Sequence, residues 1–184
     1  EAAQALIEAH GLAWRRSLDP ESAARVRALL LAVKPRAMGP LCRELAEAVR
    51  HDALVVSIAA GVTLRSLESW LPGRPVVRAM PNTPAAIGKG ATVMVSNAVV
   101  DDAGLRSAAE ALLRPTGLVE WIEEERLMGA VTAVSGSGPA YVFLLAEALA
   151  AAGAAEGLPR DLARRLAEQT VAGAGALLDA EGDA

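Results

Sequence analysis

The sequence is poor in the side chains that build metal sites and disulfides. It has one cysteine, Cys42, and two histidines among 184 residues. A single cysteine excludes a disulfide within the chain, and the cysteine and histidines do not have zinc-ligand spacing. This composition predicts no metal centre. It also suits a reducing cytosol, so we expect a cytoplasmic protein.

Aromatic residues, excess charge and long apolar runs are also scarce. Aromatic residues make up 3% of the chain, and the net charge is −4 with no long run of one sign. This charge balance argues against nucleic acid as a partner. The most apolar run, residues 141–155, is short for a membrane span and contains Glu147, so we expect no membrane partner either.

Short apolar runs alternate with helical patterns over the first two thirds of the chain. Continuous apolar runs of this kind, such as residues 29–33 and 53–61, are typical of buried parallel strands. Thr63 is placed to cap one helix, and Asp101 and Asp102 are placed to cap another. The alternation predicts an α/β fold with a Rossmann-like, doubly wound and mostly parallel sheet. From Glu123 onward only helical periodicity is present, so we expect an α/β domain over residues 1–124 and an all-helical domain over residues 125–184.

The glycines at 136 and 138 precede a long apolar run and raise the question of a phosphate-binding loop. A dinucleotide fingerprint needs a third glycine and a preceding strand, but Tyr141 holds that position and the preceding segment is helical. A corner between two helices fits better, with Gly136 and Gly138 allowing unusual backbone angles and close approach. Pro139 then starts the second helix, and Tyr141 is expected in the core.

Three predicted strands end in small or kinked residues, in "LAVKP", "SIAAGVT" and "MPNTP". Ligands of open α/β sheets bind at the carboxyl ends of the strands. Together, these three ends suggest a site for a flat ligand that approaches the backbone.

The segments "LAVKP", "VVSIAAGVTL", "MPNTPAAIGKGAT" and the block beginning "AVTAVSGSGPAYVF" resemble pyrroline-5-carboxylate reductases. The similarity runs in order from Asp19 to Leu178. It implies an oxidoreductase of proline biosynthesis that transfers a hydride from NADPH, or NADH, to the C=N bond of 1-pyrroline-5-carboxylate and forms L-proline. The family's first strand with its glycine-rich turn, and its final substrate loop and helices, have no counterpart here. We therefore expect a sheet that is incomplete at its N-terminus and a sequence that is part of a longer protein.

The resemblance implies which residues line the cofactor site. Lys34 would meet a phosphate or ribose, and Asn82 would contact the cofactor through its amide. The local sequence allows another role for each, a solvated lysine and a turn residue. The full set implied for the cofactor is Ala32, Val33, Lys34, Pro35, Ile58, Ala60, Gly61, Met80 and Asn82.

The resemblance places the small-molecule substrate in the helical domain, near Glu125, Thr132, Ser137 and Gly138. Glu125 and Thr132 are seven residues apart, which would put them on one face of a helix. Glu125 also fits a solvated helix start. No catalytic residue is assigned. The helical domain is expected to form a homodimer or a higher homo-oligomer.

Two alternatives stay open at this point. Asp19 stands where the family commonly has asparagine, and Gly129 stands where it commonly has aspartate. The chain could therefore be a truncated, non-catalytic oligomerising relative, which cofactor binding would test. It could also be another imine or β-hydroxyacid-type reductase, which substrate trials would test.

Overall fold

The computed structural model describes residues 7–9, 11, 13 and 19–181. Residues 7–9 are helical. The elements are α1 (Pro20–Arg25), β1 (Ala28–Leu31), α2 (Pro35–Ala48), β2 (Leu54–Ser57), α3 (Leu64–Trp70), β3 (Val76–Met80), a 3₁₀ turn (Thr83–Ile87), β4 (Gly90–Ser96), α4 (Ala98–Asp102), α5 (Arg106–Leu113), a 3₁₀ turn (Arg114–Thr116), β5 (Gly117–Trp121), a 3₁₀ turn (Glu125–Leu127), α6 (Met128–Val131), a π-helical turn (Thr132–Gly136), α7 (Gly138–Ala155) and α8 (Arg160–Glu181).

The five strands form one sheet in the order β1-β2-β3-β4-β5. β1 pairs with β2 and β2 with β3 in parallel, in a register that sets Ala28 opposite Leu54 and Val55 opposite Val76. The predicted α/β sheet followed by a helical C-terminal portion is therefore confirmed.

The described chain divides into two compact units. The first runs to Ala79 and includes Met94–Leu112, and the second consists of Met80–Val93 and Leu113–Ala184. The division between residues 124 and 125 that we draw from the sequence stays a prediction.

The core of the first unit is centred on β2 and β3. Val56, Val76 and Val77 are fully buried, together with Met38 of α2 and Leu67 of α3. A strand covered on both faces has no solvent side, which is why the apolar runs are continuous rather than alternating.

Helix ends agree in part with the sequence. Thr63 caps α3 as predicted, because its Oγ1 accepts from the Ser66 N–H at 3.1 Å. The prediction that Asp101 and Asp102 cap a helix is wrong: both lie in the last turn of α4. Gly104, with φ 65°, follows that helix, and Asp101 pairs with Arg106 at 2.6 Å instead of capping.

The second unit ends in the helical hairpin of α7 and α8. Gly157, with φ 99°, lies in the connection between them. The prediction that Tyr141 is a core aromatic is wrong, because 60% of its surface is exposed. Tyr141 lies on a face of α7 that neither helix of the hairpin covers.

The helical segment Glu125–Ala155 contains an 18-residue window that is apolar enough to cross a membrane. It is the one such segment among the residues described. Length and composition do not distinguish a membrane span from an apolar helix that packs against protein. The expectation of no membrane partner therefore stays a prediction.

Candidate functional site

A cavity of about 300 Å³ opens in the first unit, where β1 and β2 end. Seven residues line it: Ala32, Val33, Lys34, Pro35, Ile58, Ala59 and Ala60. All except Ala59 are residues that the resemblance implies for the cofactor. The structure thus brings together, at the carboxyl ends of two parallel strands, segments that are about 25 residues apart in the chain.

The backbone explains how the two strand ends form one cavity. The Ile58 N–H donates to the Leu31 carbonyl at 3.2 Å, which extends the contact between the two segments one residue beyond the paired strands. Pro35 then starts α2, where its ring fixes a φ that suits a helix and where the N–H that proline lacks would have had no partner. The positive end of the α2 dipole consequently lies at Lys34 and Pro35, which favours a negatively charged ligand.

Lys34 is the available cation of this cavity. Its side chain is exposed, and no hydrogen bond or ion pair within the described part of the chain involves its Nζ. The second lysine differs, since Lys89 Nζ lies 2.5 Å from Asp179 Oδ2 in the second unit. A hydrogen bond from Lys89 lowers the pKa of Asp179.

Gly61 and Ser57 shape the turn after β2 without lining the cavity. Gly61 has φ 78°, a conformation that glycine adopts without strain. The buried Ser57 Oγ accepts from the Ala59 N–H at 3.4 Å. Sequence reasoning missed Ser57, and a single polar residue at the end of an apolar strand is the signal that marks it.

A second cavity, of about 330 Å³, lies within the second unit. It is lined by Asn82, Pro84, Val134, Ser135, Gly138, Pro139, Val142 and Phe143. Asn82 and Gly138 are predicted site residues. Met80, Glu125, Thr132 and Ser137 do not line this cavity.

Asn82 uses both ends of its amide on protein groups. Its Oδ1 accepts from the Ala91 N–H at 2.8 Å, and its Nδ2 donates to the Ser135 carbonyl oxygen at 3.0 Å. It stands at the N-cap position of the turn Thr83–Ile87, but its side chain makes no capping bond there. The cofactor contact that the resemblance implies for Asn82 stays a prediction.

The glycine corner is a π-helical turn. The Ser137 N–H donates to the Thr132 carbonyl five residues earlier, at 2.8 Å, and α7 begins at Gly138. The expectation of unusual backbone angles is wrong, because neither Gly136 nor Gly138 has a positive φ. Close approach favours glycine at 136, where a Cβ would lie 2.8 Å from the Cε at the end of the Met80 side chain.

The segment between Glu125 and Thr132 is not one regular helix. A 3₁₀ turn, the short α6 and the π-helical turn follow one another, so seven residues do not make two α-helical turns. The Thr132 Oγ1 donates to the Met128 carbonyl at 2.8 Å, which leaves its lone pairs free to accept.

Metal or thiol chemistry finds no support in the residues described. No group of three histidine, cysteine, aspartate or glutamate side chains among them could hold a metal ion. Burial raises the pKa of the Cys42 thiol, which keeps it protonated inside α2 and disfavours nucleophilic chemistry.

Relatives and solved structures that are more than a quarter identical to this chain over the aligned residues include pyrroline-5-carboxylate reductases. The model described as pyrroline-5-carboxylate reductase dimerisation matches residues 125–184. The pyrroline-5-carboxylate reductase of Pseudomonas aeruginosa is 48% identical over 157 residues, which is 85% of this chain and 57% of that protein.

Two solved structures share the fold and much of the sequence. A pyrroline-5-carboxylate reductase from Coxiella burnetii superposes with a TM-score of 0.86 at 37% identity, covering 96% of this chain and 65% of that one. The Plasmodium falciparum pyrroline carboxylate reductase, solved with NADP bound, gives 0.78 at 31% identity and covers 91% and 63%. These likenesses confirm the predicted Rossmann-like architecture.

The chain spans 57% of the length of the Pseudomonas relative. The identity extends over most of the residues that the chain has, through both compact units, and the matching structures cover nearly all of it. Over the residues it contains, the chain resembles pyrroline-5-carboxylate reductases in sequence and in fold, and residues 125–184 match the dimerisation model of that family.

Proposed function

We propose that the protein reduces the C=N bond of 1-pyrroline-5-carboxylate to L-proline with a hydride from NADPH, or from NADH. The observation that carries this proposal is the cavity at the ends of β1 and β2, which is lined by six of the nine residues that the family resemblance implies for the cofactor. The NADP-bound Plasmodium relative supports the choice of cofactor. The single, buried cysteine supports a cytoplasmic location.

The lining of this cavity suits a nicotinamide cofactor. Ala32, Ala59 and Ala60 present methyl groups or backbone, so a flat ring can approach the strand ends closely. Lys34 and the start of α2 provide positive potential for a phosphate. When bound, the cofactor supplies the hydride itself. The chain's own task is to orient the reactants and to exclude water, and orientation of this kind can lower a barrier by about 7–11 kcal/mol.

On the substrate side, we propose Glu125, Thr132, Ser137 and Gly138. Gly138 lines the second cavity, and Ser137 lies directly before it in the chain. The Thr132 hydroxyl already donates to Met128 and therefore offers acceptor capacity to a protonated imine or to water. None of these residues is assigned as an acid or base.

The experiment that tests the function is NADPH oxidation with and without 1-pyrroline-5-carboxylate, followed by detection of proline. Oxidation that depends on the imino acid and yields proline supports the proposal. Oxidation with another imine or with a β-hydroxyacid partner, but not with this substrate, would favour the other reductase class.

Replacement of Lys34 is expected to weaken cofactor binding. Lys34→Ala removes the one lysine of the cavity and one charge-assisted contact to a phosphate, so the KM for NADPH should rise about tenfold with little change in kcat. The matched control is Lys89→Ala, which removes a lysine that is paired with Asp179. Steady-state kinetics of the two variants decide the point. If the two variants had the same KM for NADPH, Lys34 would not be a cofactor-binding residue.

We also propose that the exposed apolar face of α7 packs against a second copy of the chain. Val142, Phe143, Leu144, Leu145 and Leu149 of this helix are all exposed, as is Tyr141, and the dimerisation model covers the same residues. A contiguous apolar surface of this extent marks an interaction site. The same match supports a second function, a non-catalytic oligomerising relative, which would assemble without binding NADPH.

A charge within this exposed apolar surface should disrupt the assembly. Leu144 is 63% exposed in the single chain, and Leu144→Glu would bury a carboxylate in an apolar interface. We expect the homo-oligomer to dissociate, which light scattering coupled to size exclusion measures as a fall in mass. Ile87→Glu, at a residue 78% exposed outside residues 125–184, is the control and should keep the mass unchanged. Equal masses for the two variants would show that this face of α7 is not the interface between copies of the chain.

A further inference from the structure

Asn82 joins three segments of the second unit through its side-chain amide. The residue follows β3, its Oδ1 holds the start of β4 at Ala91, and its Nδ2 holds the Ser135 carbonyl, 53 residues away. Both bonds have ordinary lengths of 2.8 and 3.0 Å. The amide is therefore committed to the protein, with one N–H left over.

The Ser135 carbonyl needs a donor from outside its own helix. In a continuous α-helix it would accept from residue 139, but Pro139 has no N–H. The next donor along the chain, the Ala140 N–H, goes to the Ser137 carbonyl at 3.0 Å. Asn82 supplies the donor to Ser135, and an unsatisfied carbonyl at a half-buried position would be unfavourable.

A second contact fixes the same turn from the same side. The Met80 side chain packs closely on Gly136, so that a Cβ there would lie 2.8 Å from the Met80 Cε and the end of the methionine would have to move. Met80 and Asn82, two residues apart, thus both hold the π-helical turn Thr132–Gly136. Turns of this kind are frequent at functional sites because they redirect the chain locally.

We infer that Asn82 is a positioning residue for the imino-acid side of the reaction. It holds the π-helical turn and, through it, the orientation of Thr132, Ser137 and Gly138. This inference rests on the proposed function. It assigns Asn82 a different role from the cofactor contact that the family resemblance implies.

The test is Asn82→Asp, which has nearly the same shape and keeps an acceptor for Ala91 but cannot donate to Ser135 as a carboxylate. We expect the KM for 1-pyrroline-5-carboxylate to rise about tenfold, while the KM for NADPH stays within about twofold. Amide hydrogen exchange over residues 132–140 should accelerate in the same variant. Thr83→Ala, at the exposed neighbour of Asn82, is the control and should change neither quantity.

Asn82→Ala removes both hydrogen bonds of the amide without adding a charge. This variant tests the inference if Asn82→Asp unfolds the protein. A rise in the NADPH KM alone, or exchange over residues 132–140 equal to that of the wild type, would overturn the inference. Wild-type protein that does not oxidise NADPH with this substrate would overturn the proposed function instead. The exchange measurement would still report on the Asn82 bond.

Discussion

Gly117→Ala is expected to cause the largest loss of stability of any alanine substitution proposed for this chain. Gly117 has φ 129°, a backbone conformation that residues with a side chain rarely adopt. A Cβ added at this position would overlap the Gly90 carbonyl oxygen and lie 2.6 Å from the Gly90 nitrogen. These are backbone atoms, so no side chain can rotate away. The first residues of β4 and β5 would have to separate. We expect a loss of about 4 kcal/mol or more in the free energy of unfolding.

The measurement is urea denaturation, with Gly129→Ala as the matched control. Gly129 has no positive φ, and a Cβ there would meet no atom within 4 Å. Because Gly129 lies in the helix α6, alanine should leave stability unchanged or raise it by up to about 1 kcal/mol. Equal midpoints for the two variants would show that β4 and β5 do not approach as described. Gly90→Ala should resemble Gly117→Ala, since a Cβ at 90 would lie 2.8 Å from the Thr116 carbonyl oxygen.

Arg74→Met is expected to lower the free energy of unfolding by about 3 kcal/mol. The reason is that the Arg74 guanidinium donates hydrogen bonds to carbonyl groups at the end of a helix of the first unit. Its Nη1 donates to the Arg50 carbonyl at 2.6 Å, and its Nη2 donates to the carbonyls of Ala46 and Val49 at 2.8 and 2.7 Å. These carbonyls lie at the C-terminal end of α2, where helix oxygens have no partner of their own and the dipole is negative. Arg74 is 4% exposed, and this burial lowers its pKa.

Methionine is similar in length to arginine and has an apolar end. The variant therefore removes the hydrogen-bond donors of Arg74 while keeping most of the side-chain volume. Arg65→Met is the control: Arg65 is exposed on α3, and its replacement should change stability by less than about 0.5 kcal/mol. Arg74→Lys should recover only part of the loss, since an ammonium group cannot reproduce the planar fork. Urea midpoints of the three variants give the comparison. An Arg74→Met protein as stable as Arg65→Met would exclude the capping role.

The strand ends could be predicted because burial on both faces leaves a direct trace in the sequence. Val55, Val56, Val76 and Val77 form apolar runs with no alternation, and the small residues after β1 and β2 mark where the chain leaves the sheet. The cavity at Lys34 follows from the parallel pairing of these strands, and the family resemblance identifies what it binds.

Other features could not be predicted because their causes lie far along the chain. Nothing near Asn82 indicates that its amide reaches Ser135, and nothing near Arg74 indicates the end of α2. The sequence predicts Tyr141 as a core aromatic, because a buried tyrosine can pack its ring and satisfy its hydroxyl group. An apolar helix such as α7 needs a cover. The sequence does not say whether that cover comes from the same chain, and in this chain it does not.

The strand order has a consequence for how the chain folds during synthesis. β1 to β5 lie in the sheet in the order in which they leave the ribosome. Each new strand can therefore pair at the edge left by the previous one, and none of the five has to insert between two strands that are already joined. Among these five strands, a partly synthesised sheet can grow at the edge of its most recent strand, which would limit the time that this edge is exposed to other chains.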